Sequence, residues 1–401
     1  MNTSTLRGTS NVPLAELIPD VKPGFAVGER DPEGVIQVRM NNVDLHGNLD
    51  IDGVIRVPAT PKQVADCSLK AGDVLFNNTN STELVGKSAL FRGHSEPVTF
   101  SNHFTRLRVS QQRLDPRYLA RWLTKQQRMR VFEGLCTRWV GQSAVRAEKL
   151  LALEIPLPPL PEQKRIADIL DKADAIRRER REVSMILADY PLALFMQMFG
   201  HPDPNPKGWP MLAFSNVCDS RLGKMLDAKQ QTGRHNRPYM RNLNVQWGRL
   251  DLSKVFEMDF DESDREEFRL QFGDVLICEG GAGVGQTAIW RDELPECYFQ
   301  KSLHRVRPFA SKATPEYIAF LMWTLMKRSS LLRSISSATI PHLTGEKLKD
   351  VRIPVPPLKL QQQFSAQCQR AATTTDNAAA TFGLADSLFN SLVQRAFRGE
   401  L

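Results

Sequence analysis

Two halves of this chain repeat each other. Gly72-Asp73-Val74-Leu75 returns as Gly273-Asp274-Val275-Leu276, and Gly86-Lys87-Ser88-Ala89-Leu90-Phe91 returns as Gly285-Gln286-Thr287-Ala288-Ile289-Trp290. Asp115-Pro116-Arg117-Tyr118-Leu119-Ala120 falls on Thr314-Pro315-Glu316-Tyr317-Ile318-Ala319, Glu148-Lys149-Leu150 on Glu346-Lys347-Leu348, and Ile155-Pro156-Leu157-Pro158-Pro159-Leu160 on Ile353-Pro354-Val355-Pro356-Pro357-Leu358. The offset drifts only from 201 (72 to 273) to 198 (155 to 353), so register holds over five segments. Such a period constrains the fold more than any local signal, because each copy must form the same supersecondary units. It describes either a duplicated domain with no special purpose or two similar modules that each read something.

Both copies have the same internal order. A strand- and turn-rich region comes first, with β-rich stretches such as Gly34–Met40, Asp73–Asn77 and Thr105–Val109. A short helix is predicted near Pro116–Arg130, with its partner near Pro315–Arg328. Proline-rich stops follow at Ile155–Pro161 and Ile353–Pro357.

Beyond each stop lies a long helical pattern. In the first, Ile166, Ile169, Leu170, Ala173 and Ile176 recur at helical spacing, with charged residues opposite. In the second, Phe364, Cys368 and Ala371 open the stripe and Leu384, Leu388, Leu392 and Val393 close it; its Ala/Thr-rich middle, Ala371–Ala380, reads as helix or as a looser join. A helix from Glu162 to Phe199 would be ~57 Å long at ~1.5 Å per residue, with a kink expected at Pro191. Neither helix can hide its apolar stripe alone, which predicts that the two pack on each other as a coiled-coil-like spacer.

The fold expected is therefore α/β (α+β), with two similar globular domains, two long antiparallel spacer helices and a pseudo-two-fold internal repeat. The segments are residues 1–158, 159–200, 201–356 and 357–401. At 401 residues, 41% hydrophobic and 24% charged, the chain has ample material for packed domains. A net charge of +8 fits a polyanionic partner without proving one. Six cysteines form no CxxC pair, which suggests reduced thiols in a cytoplasmic protein. The polar start at Met1–Asn11 and the short apolar run at Tyr317–Met326 disfavour secretion and membrane insertion.

Catalytic patterns are incomplete. Ser81–Ser88 resembles the end of a phosphate-binding loop, yet Ser81 stands where its first glycine should be, and the second copy has Gln286 in place of the lysine. Gly280–Gly285 lacks the dinucleotide-binding spacing. There is no Asn/Asp-Pro-Pro-Tyr/Phe segment, HExxH or GxSxG, and the seven histidines do not cluster. Glu346 and Lys347 mimic part of a nuclease triad but suit a surface helix pair.

Leu157-Pro158-Pro159-Leu160-Pro161-Glu162-Gln163-Lys164-Arg165-Ile166, running into Ile169-Leu170-Asp171, resembles the spacer start of the specificity (S) subunit of type I restriction–modification enzymes. Gly72–Ser81 with Glu83–Lys87 is similar to the signature loop of that family's target recognition domains, and Ala396–Leu401 to its usual ending. The second copy departs from the pattern, with Lys359-Leu360-Gln361 where the first has Pro161-Glu162-Gln163.

This resemblance implies a non-catalytic, sequence-specific DNA-recognition subunit. Residues 1–158 and 201–356 would each read half of an asymmetric, bipartite double-stranded target. The spacer helices would act as a ruler and as a dock for two methyltransferase (M) subunits, with a restriction (R) subunit joining for cleavage. S-adenosylmethionine and ATP would bind those partners, and no cofactor or metal would bind here. A methyltransferase or nuclease with degenerate motifs, or a scaffold without DNA binding, are the competing classes.

A DNA reader needs cations for phosphates and amide or guanidinium groups for base edges. In the first copy the candidates are Arg39, Asn41, Asn42, Asn77, Asn78, Asn80, Lys87, Asn102, His103 and Arg138. In the second they are Arg241, Asn242, Asn244, Gln286, Gln300, Lys301 and His342. Gly86 and Gly285 would let the loop backbone approach DNA, and differences such as Lys87 against Gln286 would encode two half-sites about one turn (~34 Å) apart. The partner-binding spacer candidates are Gln163, Ile166, Ile169, Leu170, Ala173, Ile176, Phe364, Leu384, Leu388 and Leu392.

Overall fold

The computed structural model describes residues 10–226, 231–328 and 343–401. Contacts divide the chain into a first unit, Met1–Arg181 with Ala380–Leu401, and a second, Glu182–Ala379. Each unit thus holds one globular copy and a portion of both long helices.

The first unit opens with β1 (Ser10–Pro13), β2 (Asp20–Pro23), β3 (Val35–Val38) and β4 (Ile55–Val57), then α1 (Pro61–Cys67). Next come β5 (Val74–Asn77), β6 (Thr79–Asn80), β7 (Ser88–Leu90), β8 (Val98–Phe100) and β9 (Phe104–Arg108). Helix α2 (Pro116–Arg128) begins with proline at its first turn, where no N–H is needed, and the Asp115 carboxylate caps it by accepting from Arg117 and Tyr118 N–H groups. After α3 (Val131–Leu135), β10 (Thr137–Trp139), β11 (Gln142–Ala144), α4 (Ala147–Leu151) and β12 (Glu154–Leu157), the first long helix α5 runs over Leu160–Phe199 and continues through Pro191.

The second unit repeats this order in β13 (Met211–Ala213), β14 (Cys218–Leu222), β15 (Asn236–Met240), β16 (Val245–Gln246), β17 (Arg249–Leu250) and β18 (Phe256–Asp259). It continues with α6 (Glu262–Phe268), β19 (Val275–Cys278), β20 (Thr287–Ile289), β21 (Tyr298–Phe299), β22 (Leu303–Pro308) and α7 (Pro315–Arg328). Helix α8 (Gly345–Asp350), β23 (Arg352–Pro354) and the second long helix α9 (Leu358–Ala396) complete it. The Ala/Thr-rich middle of α9 is helical throughout.

The duplication extends to three matched pairs of sheets. An antiparallel four-stranded sheet β2-β9-β5-β7 in the first unit matches β14-β22-β19-β20 in the second. A three-stranded sheet β4-β3-β8, parallel between β3 and β8, matches β18-β15-β21. The pair β1-β12 matches β13-β23, so the proline-rich stop is the last strand of each globular copy, returning to pair with its first. The small sheet β10-β11-β6 has no counterpart among the described residues.

Each globular copy buries its core against the long helices. In the first unit Val74, Phe76, Leu107, Tyr118 and Leu123 pack with Ile166 and Leu170 of α5 and with Phe389, Val393 and Phe397 of α9. In the second, Phe195 and Phe199 of α5 meet Phe364 of α9, with ring centroids 5.7 and 5.4 Å apart, beside Tyr317 and Phe320. The helices run antiparallel within each unit. In the first, Arg165 reaches Leu401 and Arg177 reaches Asp386. In the second, Leu187 meets Thr375 and Tyr190 meets Gln367. Burying such apolar side chains is worth about 1.5–3 kcal/mol each, which is why the stripe seeks this partner.

Candidate nucleic-acid interface

The loops at one end of each sheet carry the candidate polar residues, and the structure separates those that hold the frame from those that face outward. Asp73 opens β5. Its buried carboxylate takes two bonds of 2.7 Å from Arg108 and one from the Lys70 N–H at 2.7 Å. Asp274 repeats this with Arg307 and the Gln271 N–H. The Gly-Asp-Val-Leu signature is therefore a structural clamp.

A second frame element follows β3. Arg39 N–H donates to the Asn42 side chain at 2.9 Å, and the Asn42 amide donates to Gly53 O at 3.0 Å. Arg241 and Asn244 form the same turn after β15, with Asn244 also donating to Asp251 and Lys254 carbonyls. Both asparagines are buried, so neither is free to read a base. Arg39 donates to Val27 O, and Arg241 lies 3.8 Å over the Phe256 ring.

Lys87 also points inward. Its ammonium donates to Met40 O and Val43 O, each at 2.6 Å, and burial lowers its pKa. It closes the same turn from below instead of meeting phosphate, which corrects its expected role opposite Gln286. Gly86 does not open the backbone to a ligand either. At φ +88 a Cβ there would lie 2.1 Å from the Phe132 ring, while at Gly285 it would meet Met326.

The asparagine-rich loop is largely self-satisfied. Asn77 is buried and donates to Thr79 O and His103 O; Asn80 donates to Asn77 Oδ1; Asn78 donates to Thr105 Oγ1 at 2.9 Å. These bonds draw Asn78, Asn80, Asn102 and His103 to one edge, where β6 pairs with β11. Asn41, Asn102 and Arg138 are exposed there or on neighbouring turns, and His103 is half-buried.

In the second unit Asn242, Gln286, Gln300 and Arg241 are half-buried and Lys301 is exposed. Asn242 and Gln286 line a cavity of about 580 Å³ together with Leu243, Gln246, Trp247 and Arg249. His342 lies outside the described residues. Leu243, 70% exposed, occupies the turn position that Asn41 holds in the first unit. Sequence reading missed it because an isolated leucine carries no signal for a loop.

The spacer candidates also divide. Gln163 is fully buried: its carbonyl accepts from the Asp115 N–H at 2.9 Å and its amide donates to Arg113 O and Pro158 O. Gln361 makes the same three bonds, to Thr314 N–H, Lys312 O and Pro356 O. Gln163 therefore joins α5 to its own globular copy and offers no surface to a partner. Ile166, Leu170 and Phe364 are core, and Ile169, Ala173 and Leu392 are half-buried. Ile176, Leu384 and Leu388 are exposed, the last two at 73% and 58%. At this level Arg177, Asp386 and Phe389 make the helix–helix contact, so the leucines face outward.

A polar knot ties the globular part of the first unit to both long helices. His46 Nδ1 accepts from Arg128 at 2.5 Å and Arg177 at 2.6 Å, so the imidazole is neutral. Burial and the two guanidinium groups lower its pKa. Asp174 receives Arg121 and Arg177; burial opposes its ionisation, but the two arginines outweigh it and hold its pKa low.

All six cysteines are free, five of them buried, and burial pushes the Cys278 and Cys368 thiols up to about 12. Among the described residues no group of His, Cys, Asp and Glu forms a metal site, and no helix is long and apolar enough to cross a membrane.

The family model for the type I restriction modification DNA specificity domain matches residues 29–184 and 206–370. The chain is 36% identical over 113 residues to the type I restriction enzyme MjaX specificity subunit of Methanocaldococcus jannaschii, covering 28% of this chain and 27% of that protein. It is 23% identical over 273 residues to the EcoKI specificity subunit of Escherichia coli, covering 62% and 58%. The chain spans less than two thirds of the length of either relative. Among solved structures, it superposes on a chain from a study of complex assembly and conformational transition of the type I R-M system, with a TM-score of 0.57, 20% identity and all of both chains covered. The S subunit from M. genitalium gives a TM-score of 0.61 at 15% identity, covering 99% and 97%. These two likenesses establish the fold. With more than half of its residues matched, in two consecutive copies, the chain belongs to the type I restriction modification DNA specificity domain family.

Proposed function

We infer that this chain is the DNA-recognition and assembly subunit of a type I restriction–modification complex and performs no catalysis itself. One observation carries the reading: the same turn is built twice, from Arg39 and Asn42 and from Arg241 and Asn244, while the exposed residue it presents changes from Asn41 to Leu243. A constant frame with a variable tip is what two readers of different half-sites need.

Each globular copy reads one half of an asymmetric double-stranded target. Asn41, Asn102 and Arg138 serve the first half-site, and Asn242, Gln286, Gln300 and Lys301 the second. The long helices set the gap between half-sites. Exposed apolar side chains on them, Ile176, Leu384 and Leu388 in the first unit and Met185 and Ile186 in the second, offer docking surface for two methyltransferase subunits. A restriction subunit joins that assembly, and S-adenosylmethionine and ATP belong to the partners.

The test is DNA binding by the complex of this chain with its methyltransferase subunit, titrated between 50 and 200 mM salt (roughly the range over which phosphate contacts weaken). The reading requires tight, salt-sensitive preference for one sequence, with no cleavage or methyl transfer by the isolated chain under single-turnover conditions. Equal affinity for all duplexes, or catalysis by the isolated chain, would overturn it.

A further inference from the structure

We propose that the β10–β11 ribbon of the first unit enters the major groove of its half-site, and that Trp139, Val140 and Gln142 read base edges there. The proposal rests on the DNA-recognition reading above and names residues of that site.

The ribbon is a two-stranded hairpin. Thr137 pairs with Ala144, Arg138 with Ser143 and Trp139 with Gln142, and the turn between the strands is Val140-Gly141. Gly141 adopts φ +79, which a two-residue hairpin turn needs and glycine supplies without strain. The base of the hairpin is fixed to the asparagine-rich loop. Ser143 pairs with Asn80 and Ala144 with Thr79, Thr82 and Ser143 hydroxyls lie 2.8 Å apart, and Val145 N–H donates to Asn78 O at 2.9 Å.

Its tip is built unlike a soluble turn. Trp139 is 60% exposed and Val140 fully so, and Arg138 and Gln142 are exposed beside them. An indole and a branched aliphatic side chain left in water at a hairpin tip lose the burial that would normally stabilise them. No acidic residue lies between Thr137 and Ala144, while Arg138 and Arg146 are exposed on the ribbon and just beyond it. Arg130 is exposed nearby, paired to Glu133 at 3.4 Å. Apolar side chains flanked by exposed cations, of which Arg138 donates to the Glu133 carbonyl at 3.5 Å, match a polyanion with apolar features inside it.

The major groove has that chemistry and is about 12 Å wide, enough for a two-stranded β-ribbon. Thymine methyl groups suit Trp139 and Val140, the Gln142 amide can pair with the adenine edge, and Arg138 supplies a phosphate contact. Trp139 and Gln142 face each other across the ribbon, so both present to the same side of the groove.

The experiment uses the complete complex with its methyltransferase subunits. W139A/V140A and Q142A are compared with wild type for binding to target and random duplexes and for the methylated motif. Target affinity should fall about tenfold or more with random-DNA affinity unchanged, and the motif should become degenerate in one half-site only. R138A should weaken binding to all sequences and reduce the salt slope by about one. W139F should recover part of the loss. Unchanged affinity and motif would overturn the proposal, and so would loss of methyltransferase assembly with the motif intact, which would make the tip a protein contact. A wild-type complex with no sequence preference would defeat the DNA-recognition reading itself, whereas a selective wild type with indifferent variants would defeat only the ribbon.

Discussion

Asp73 holds Arg108 by two parallel hydrogen bonds of 2.7 Å, and this pair locks the start of β5 to the end of β9. The carboxylate is buried, and removing it takes away both bonds to Arg108 and the one from the Lys70 N–H, leaving Arg108 only its 3.2 Å pair with the half-buried Asp20. Asp73→Ala should cost about 3 kcal/mol. Urea unfolding of the full chain checks the loss, with hydrogen exchange placing it in the first unit. Asp274→Ala should do the same in the second unit through Arg307.

His46 makes the first unit sensitive to acid. Its folded pKa is depressed, so the unfolded chain takes up a proton more readily than the folded one. Its contribution is complete above the unfolded value of about 6.5 and is lost as pH falls through the lower folded value. Asp44 and Asp386 stand near the imidazole, but the arginines Arg128 and Arg177 contact it directly. Thermal melts of wild type should fall as pH drops below about 6.5, and His46→Gln should flatten that slope. An equal slope in the variant would place the acid sensitivity elsewhere.

Two matched glycines should respond unequally to alanine. At Gly86 the new methyl meets the rigid Phe132 ring, and the left-handed backbone adds strain, so Gly86→Ala should cost about 2 kcal/mol or more. At Gly285 the obstacle is the flexible Met326 side chain, so Gly285→Ala should cost less. Denaturant midpoints of the two variants decide the order.

The long helices carry two kinds of apolar residue. Ile166→Ala or Leu170→Ala should destabilise the first unit by about 2–5 kcal/mol, because both side chains are fully packed. Leu384→Glu with Leu388→Glu should leave its melting temperature nearly unchanged and weaken methyltransferase binding at least tenfold in a co-purification or calorimetric titration. Unchanged binding would move the docking surface elsewhere on the chain.

Much of the architecture was legible in the sequence because duplication and helical period are properties of the pattern. Phe364 and Ile166 lie on a 3.6-residue stripe and are buried where that stripe meets a globular copy. Leu384 lies on the same stripe and is exposed, because Arg177 and Asp386 meet at that level. Period alone cannot say how far along a helix its cover extends. The polar site was less legible for a related reason. Asn42, Asn77 and Lys87 are the residue types a DNA reader uses, yet their hydrogen-bonding groups are spent on neighbouring carbonyls. Composition shows which groups a residue has, and only the fold shows whether they are already occupied. Trp139 was overlooked for the opposite reason: an aromatic residue suggests core until its position at a hairpin tip is seen.

The most direct test of two linked readers is genome-wide methylation mapping in cells that express this chain with its methyltransferase partner, repeated after residues 1–158 are exchanged for those of another family member. A single interrupted, asymmetric motif is predicted, of which the exchange replaces one part and leaves the other. A continuous motif, or an exchange that alters both parts together, would contradict the account.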